Sequence, residues 1–351
     1  MNSWRDNVRK VEPYTPGEQP KEEGVIKLNT NENPYPPSEK IKEAMSEIKN
    51  LRKYPDPAAT KLVEAIASYH GFDKEEVFVG VGSDDVLAVA FMTFFNGKKP
   101  IFFPDITYSF YPVWAELFGI PYEKKAVNDV FEIQKEDYYA ENGGVVFPNP
   151  NAPTGAFLSL EVVEDIIKHN QDVVVIVDEA YIDFGGDTAK ELTRKYDNVL
   201  VVQTYSKSRS LAGLRIGYAI GNKELIKAMN DVKYSYNSYT MNEPSIVLGT
   251  AVLEDEEYFQ ETRNKIIETR EWFQTEMRKI GFSFADSKAN FIFATHESVP
   301  AKEIFEAAKK AKIYVRYFNQ PRIDNYLRIT IGTREEMETL LDFLKEFTAA
   351  K

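Results

Sequence analysis

The sequence contains no cysteine. That excludes a disulfide framework, thiolate catalysis and any zinc or iron–sulfur site built on cysteine. Histidine is scarce as well: His70, His169 and His296 are scattered along the chain, so no metal is expected. No apolar run approaches the roughly 18 residues of a membrane helix. The first ten residues are polar and lack the apolar stretch of a secretory signal. A cytoplasmic protein with no membrane partner is therefore expected. Positive charge is in deficit, with Lys+Arg 43 against Asp+Glu 55 and a formal net charge of −12. Without a strongly basic segment, nucleic acid is not an expected partner. No G-x-x-x-x-G-K-[ST] loop occurs, which disfavours an ordinary P-loop nucleotidase.

What is present is a globular composition. The 351 residues are 43% hydrophobic, which suits a packed core in one large or two modest domains. Residues 1–37 are rich in Pro, Asn, Glu and Gly, and Pro34, Pro36 and Pro37 prevent a helix. They read as a loose tail or, given Val25, Ile26 and Leu28, as an arm that docks on something. From Ser38 onward helical and strand patterns alternate. Helices are expected over 62–69, 85–95, 113–118, 160–169 and 189–196, and strands over 77–79, 101–103, 145–147, 173–177 and 199–202. This alternation predicts a mostly parallel sheet with helices on both sides. After about Tyr239 the pattern becomes α+β: helices over 246–253, 259–280, 301–311 and 335–347, and strands over 291–294, 313–315 and 326–331. The expected division is an arm (1–37), a large domain (38–240) and a small C-terminal domain (241–351).

Four segments could carry chemistry. Gly80-Val81-Gly82-Ser83-Asp84-Asp85 follows a strand and opens a helix, so it reads as a helix cap or as an anion site on backbone amides. Asn149-Pro150-Asn151-Ala152-Pro153-Thr154-Gly155 is a turn, or a rigid ligand loop at a strand's carboxyl end. Asp178-Glu179-Ala180-Tyr181 ends the most apolar strand, where a carboxylate needs a cation or several donors. In Thr204-Tyr205-Ser206-Lys207-Ser208-Arg209, hydroxyls flank a lysine, and Gly213 and Arg215 follow. A lone lysine is usually solvated, but these flanks suggest an anion site and a lysine with a task.

Together these segments resemble the core of the fold-type I pyridoxal-phosphate-dependent aminotransferases: an aspartate after one strand, then a hydroxyl-flanked lysine 29 residues on. Within that superfamily the chain is similar to the histidinol-phosphate aminotransferases. The similarity is carried by Leu28-Asn29-Thr30-Asn31-Glu32-Asn33-Pro34, Tyr54-Pro55-Asp56, Gly82-Ser83-Asp84-Asp85, Asp178-Glu179-Ala180-Tyr181, Ser206-Lys207, Leu211-Ala212-Gly213-Leu214-Arg215 and Leu327-Arg328-Ile329-Thr330-Ile331-Gly332-Thr333.

The resemblance implies an α/β transferase with a large cofactor domain and a smaller α+β domain. The cofactor is pyridoxal 5′-phosphate. Lys207 would be its Schiff-base lysine and the proton carrier, Asp178 would pair with the pyridine nitrogen, and Tyr181 would bond the phenolic oxygen. Tyr108 would stack on the ring. Ser83, Asp84, Ser206 and Arg215 would hold the phosphate, with Tyr54 reaching in from the neighbouring subunit of a homodimer. The family usually has Asn where this chain has Ala152. Asn151 is expected to take over its bond to the cofactor, with Asn149, or Tyr181 with a water, as the alternatives. Tyr14, Arg316 and Arg328 would bind substrate, since guanidinium suits both phosphate and carboxylate. Arg316 and Arg322 also read as solvated surface charges.

The implied reaction exchanges the amino group of L-histidinol phosphate with 2-oxoglutarate, through a pyridoxamine stage. The alternatives are an aromatic-amino-acid aminotransferase, a threonine-phosphate decarboxylase on the same fold, and a cofactor-binding regulator. No winged-helix segment or basic tail supports the last.

Overall fold

A computed structural model describes residues 4–49 and 51–351. Among them the strands are β1 (Ile26–Lys27), β2 (Val77–Gly80), β3 (Ile101–Pro104), β4 (Tyr122–Lys125), β5 (Val145–Pro148), β6 (Val175–Asp178), β7 (Val199–Thr204), β8 (Gly217–Gly221), β9 (Phe282–Phe284), β10 (Phe291–His296), β11 (Ile313–Tyr314), β12 (Arg316–Tyr317) and β13 (Leu327–Thr330). The α-helices are α1 (Glu39–Met45), α2 (Thr60–His70), α3 (Ser83–Phe94), α4 (Phe110–Phe118), α5 (Leu160–Lys168), α6 (Lys223–Tyr236), α7 (Glu243–Ala251), α8 (Glu256–Lys279), α9 (Ala301–Lys310) and α10 (Arg334–Ala349).

The central sheet has the order β2-β8-β7-β6-β5-β3-β4. Only β8 runs against its neighbours. The inner strands are apolar on both faces because helices cover both. Successive residues alternate between the two cores. Val146, Ile176, Leu200 and Val202 pack with α3 and α4, and Val145, Phe147, Val175, Val177, Val199 and Val201 pack with α5. The second sheet, β12-β13-β10-β9, is antiparallel and packs on α8, α9 and α10.

The antiparallel β8 decides where the site forms. In the register Gly80↔Gly217 and Thr204↔Gly217, the start of β8 lies beside the ends of β2 and β7. Ser83, distant in sequence, thus reaches one edge with Ser206 and Arg215. A side chain on Gly217 would put Cβ 2.2 Å from the Ser83 amide nitrogen, so the approach requires glycine.

The arm docks. β1 pairs in parallel with β11, the Leu28 N–H donates to the Tyr314 carbonyl at 2.7 Å, and Leu28 is buried in the small-domain core. Residues 189–194 form a 3₁₀ helix rather than the expected α-helix. The strand expected over 313–315 divides: β11 serves the arm and β12 serves β13. β4, β8, β9 and α6 have no counterpart in the sequence reading. α7, expected in the C-terminal unit, shares its core with α1, α2, β2 and β8.

Candidate active site

The ends of β2, β3, β5, β6 and β7 and the start of β8 meet the arm and the small domain. A cavity of about 170 Å³ lies there, lined among others by Tyr14, Thr30, Tyr108, Lys207, Arg316 and Arg328. It adjoins a wider one of about 400 Å³ that shares Tyr14, Tyr108 and Arg316. Open α/β sheets place ligands at this edge.

Asp178 ends β6 and is buried. Its Oδ2 accepts from the Tyr111 hydroxyl at 2.9 Å, and its Oδ1 from the Ala180 N–H at 3.3 Å. Burial pushes its pKa up to about 6, against the pull of these neutral donors, and the charge of Asp84 adds to the rise. A buried carboxylate with no cationic hydrogen-bond partner among the described residues is suited to a cationic ligand atom.

Lys207 follows β7 and donates from Nζ to the Thr30 carbonyl at 3.3 Å. The ammonium lies 5.7 Å from the centre of the Tyr181 ring. Tyr181 is held edge-on against Phe291, and its hydroxyl accepts from Asn31 Nδ2 at 2.9 Å.

The anion cradle is backbone and guanidinium. Gly82, at φ 87°, caps α3, whose first amides are those of Ser83 and Asp84. Arg215 donates from Nη1 to Ser206 Oγ at 3.4 Å and from Nη2 to Asp84 Oδ2 at 3.4 Å. The Tyr108 hydroxyl donates to Asp84 Oδ1 at 2.7 Å, and burial, with the adjacent Asp84 charge, raises its pKa.

Asn151 is engaged with neighbouring protein groups. Nδ2 donates to the Ile106 carbonyl at 2.9 Å and to Thr154 Oγ1 at 3.1 Å, while Oδ1 accepts from Thr107 Oγ1 at 3.0 Å. Both amide hydrogens are spent on the loop, so none remains for a cofactor oxygen. Asn149 is likewise engaged with the backbone N–H and carbonyl of Leu158. Of the expected donors to that oxygen, Tyr181 is the one that lines the cavity with Lys207.

Arg316 and Arg328 face each other across β12 and β13. Arg328 donates from Nη2 to the Asn29 carbonyl at 2.9 Å, and its buried Nε has no partner among the described residues. Burial, and then the charge of Arg316, favour its neutral form. An anion between them would relieve both. Tyr14 stacks on Phe110 with ring centroids 4.3 Å apart, at the mouth. Tyr54 is 81% exposed and rests on Tyr239, outside this chain's own cavity. Arg322 is not merely solvated: it donates to Asp105 Oδ2 at 2.8 Å and to the Val127 carbonyl at 2.7 Å, bridging the two domains.

Two residues went unassigned in the sequence reading. Tyr111 is fully buried behind Asp178, and nothing local marks it. Asn31 lies inside a quoted motif, but its partners are 150 and 299 residues away.

The residues present fit pyridoxal phosphate. Asp178 suits a cationic ring atom, the α3 start with Arg215 suits a phosphate, and Lys207 and Tyr181 line one cavity with the paired arginines. Fold and site together are those of an aminotransferase. The family described as Aminotransferase class I and II matches residues 23–344, and the chain belongs to it.

Within that class the relatives are specific. A histidinol-phosphate aminotransferase of Lactococcus lactis subsp. lactis is 51% identical over 347 residues, covering 98% of this chain and 96% of the relative. One from Clostridium botulinum is 51% identical over 345 residues, 98% of each. Among solved structures, the histidinol-phosphate aminotransferase of Sinorhizobium meliloti in complex with pyridoxal-5′-phosphate superposes with a TM-score of 0.85 at 21% identity, over 93% of this chain and 91% of that one. That likeness speaks for the fold. The cofactor is pyridoxal phosphate, as the family requires.

Proposed function

We propose that this chain transfers the amino group of L-histidinol phosphate to 2-oxoglutarate, giving imidazole acetol phosphate and glutamate, in histidine biosynthesis. The observation that carries the reading is the 51% identity to histidinol-phosphate aminotransferases over nearly the whole chain. The paired arginines support it, because both substrates end in an anion and one guanidinium pair can take either.

Bound pyridoxal phosphate supplies a reactive carbonyl carbon and a ring that withdraws the electron pair of the substrate's C–H bond. Asp178 pairs with the ring nitrogen and keeps a proton there. Tyr181 donates to the phenolic oxygen, and Tyr108 stacks against the ring. The Ser83 and Asp84 amides, Ser206 and Arg215 hold the phosphate. Lys207, close to the Thr30 carbonyl, moves the proton from the substrate carbon and returns one at the neighbouring position. Arg316, Arg328 and Tyr14 bind the far end of the substrate and shut out water.

The working unit is a homodimer in which the exposed Tyr54 completes the neighbouring phosphate site. No helix among the described residues is long and apolar enough to cross a membrane, and the cytoplasm is the proposed location. The test is turnover of histidinol phosphate and phenylalanine side by side with 2-oxoglutarate. Strong preference for the phosphate is expected. Equal rates would select an aromatic aminotransferase, and carbon dioxide release without an oxo acid would select a decarboxylase.

A further inference from the structure

Asn31 has an unusual backbone and a fully determined set of bonds. Its φ is 57°, in the left-handed region that Asn tolerates better than most residues. Its N–H donates to Thr330 Oγ1 at 3.0 Å, and that hydroxyl donates back to Asn31 Oδ1 at 2.9 Å. Asn290 Nδ2 donates to the Asn31 carbonyl at 3.0 Å. The buried Thr330 hydroxyl has no other acceptor among the described residues, so its hydrogen goes to Oδ1. The amide is therefore oriented by chemistry: Nδ2 faces Tyr181 and donates to the phenol oxygen at 2.9 Å.

That donation has a consequence for Tyr181. A phenol has one hydrogen, and an oxygen that accepts from Asn31 cannot also donate to it. The hydrogen is left to point away from Asn31, and the cavity that Tyr181 lines is shared with Lys207, whose Nζ lies 5.7 Å from the ring centre. We propose that Asn31 is a positioning residue that forces the Tyr181 hydroxyl to donate into the cofactor site. It rests on the reading above that pyridoxal phosphate binds there with its phenolic oxygen at Tyr181. Thr330, two residues along β13 from Arg328, holds the amide in this orientation. The anion arginine and the support of Tyr181 thus share one strand.

The test is the pH midpoint of the holoenzyme's visible absorbance change. An oxygen that loses a hydrogen-bond donor holds protons more tightly, so the midpoint should rise. Asn31→Gly keeps the left-handed backbone and removes the donor. Asn31→Asp also keeps that backbone and the acceptor for Thr330, but it turns the donor into an acceptor that captures the phenol hydrogen. Each should raise the midpoint by about one pH unit, as should Tyr181→Phe. In a Tyr181→Phe background, Asn31→Gly should add nothing, because it acts only through the hydroxyl. An unchanged midpoint in both Asn31 variants, or an equal shift with and without the Tyr181 hydroxyl, overturns the proposal. A wild-type protein that takes up no cofactor overturns the underlying reading instead. If Asn31→Gly does not fold, Asn31→Asp decides.

Discussion

Asp178 has two neutral donors and a pKa pushed up to about 6 by burial, against about 4 for an unfolded aspartate. In the cofactor-free protein a carboxyl raised in this way favours the fold at low pH. That share is lost as pH rises from about 4 through 6, because the folded state must then bury an unpaired charge. Two pKa units correspond to on the order of 3 kcal/mol. Urea unfolding of cofactor-free Asp178→Asn should therefore show less loss of stability between pH 4 and 7 than wild type, by on the order of 2–3 kcal/mol. Glu179, pushed up to about 7 by burial, acts in the same direction in both proteins and cancels in the comparison. Equal slopes would refute the unpaired-charge account. For Lys207→Ala, turnover should fall at least about a thousandfold while the cofactor-free melting temperature barely moves. Its Nζ donates to the Thr30 carbonyl, a single hydrogen bond among the described residues. Both positions stood out in the sequence because Asp178 closes one apolar strand and Lys207 lies three residues past the end of the next. Asn31 and Tyr111 did not, because what makes them matter is a partner across the fold. Asn151 has a local reading beside the ligand one: in a Pro/Asn/Gly turn an amide can serve the backbone as easily as a ligand, and its hydrogens go to Ile106 and Thr154.

At the scale of elements, the apolar inner strands could be read because burial on both faces leaves an unbroken hydrophobic run. The elements that escaped have weak patterns for physical reasons. β4 is an edge strand of sequence Tyr-Glu-Lys-Lys, charged as exposed edges often are. β8 begins and ends in glycine, which hides a five-residue strand. α6 buries only Ile226, Met229 and Lys233, so its apolar stripe is thin. The cost of missing β8 was the geometry of the anion cradle, since this reversed strand brings Arg215 beside the start of α3. Gly217→Ala should destabilise the protein by roughly 2–4 kcal/mol and weaken cofactor retention, as its Cβ would collide with backbone rather than a flexible side chain. Denaturant titration and dialysis of the holoenzyme would measure both. A variant with wild-type stability and retention would show that the β2–β8 approach is not limiting.

At the scale of the whole molecule, the arm was legible as apolar residues in a proline-rich stretch, but its destination was not. β1 and β11 are 2 residues each, too short to announce a pairing. The dimer can be tested by complementation. Lys207→Ala and Tyr54→Ala subunits should each be poorly active. Unfolded and refolded together, they should form mixed dimers in which one site holds Lys207 from one chain and Tyr54 from the other. Recovery toward a quarter of wild-type activity is expected, on the order of half the dimers being mixed with one good site each. No recovery, with mixed dimers present, would remove Tyr54 from the neighbour's site.

The sewn-down arm also bears on how this enzyme should be handled in the laboratory. The Asn29–Asn31 stretch touches Arg328, Lys207 and Tyr181 in turn. A shortened gene product starting at Ser38 would keep its sheet, yet it would forfeit the ledge on which the Lys207 amine rests. Trimming that looks like tidying would yield a poorer catalyst, not a leaner one.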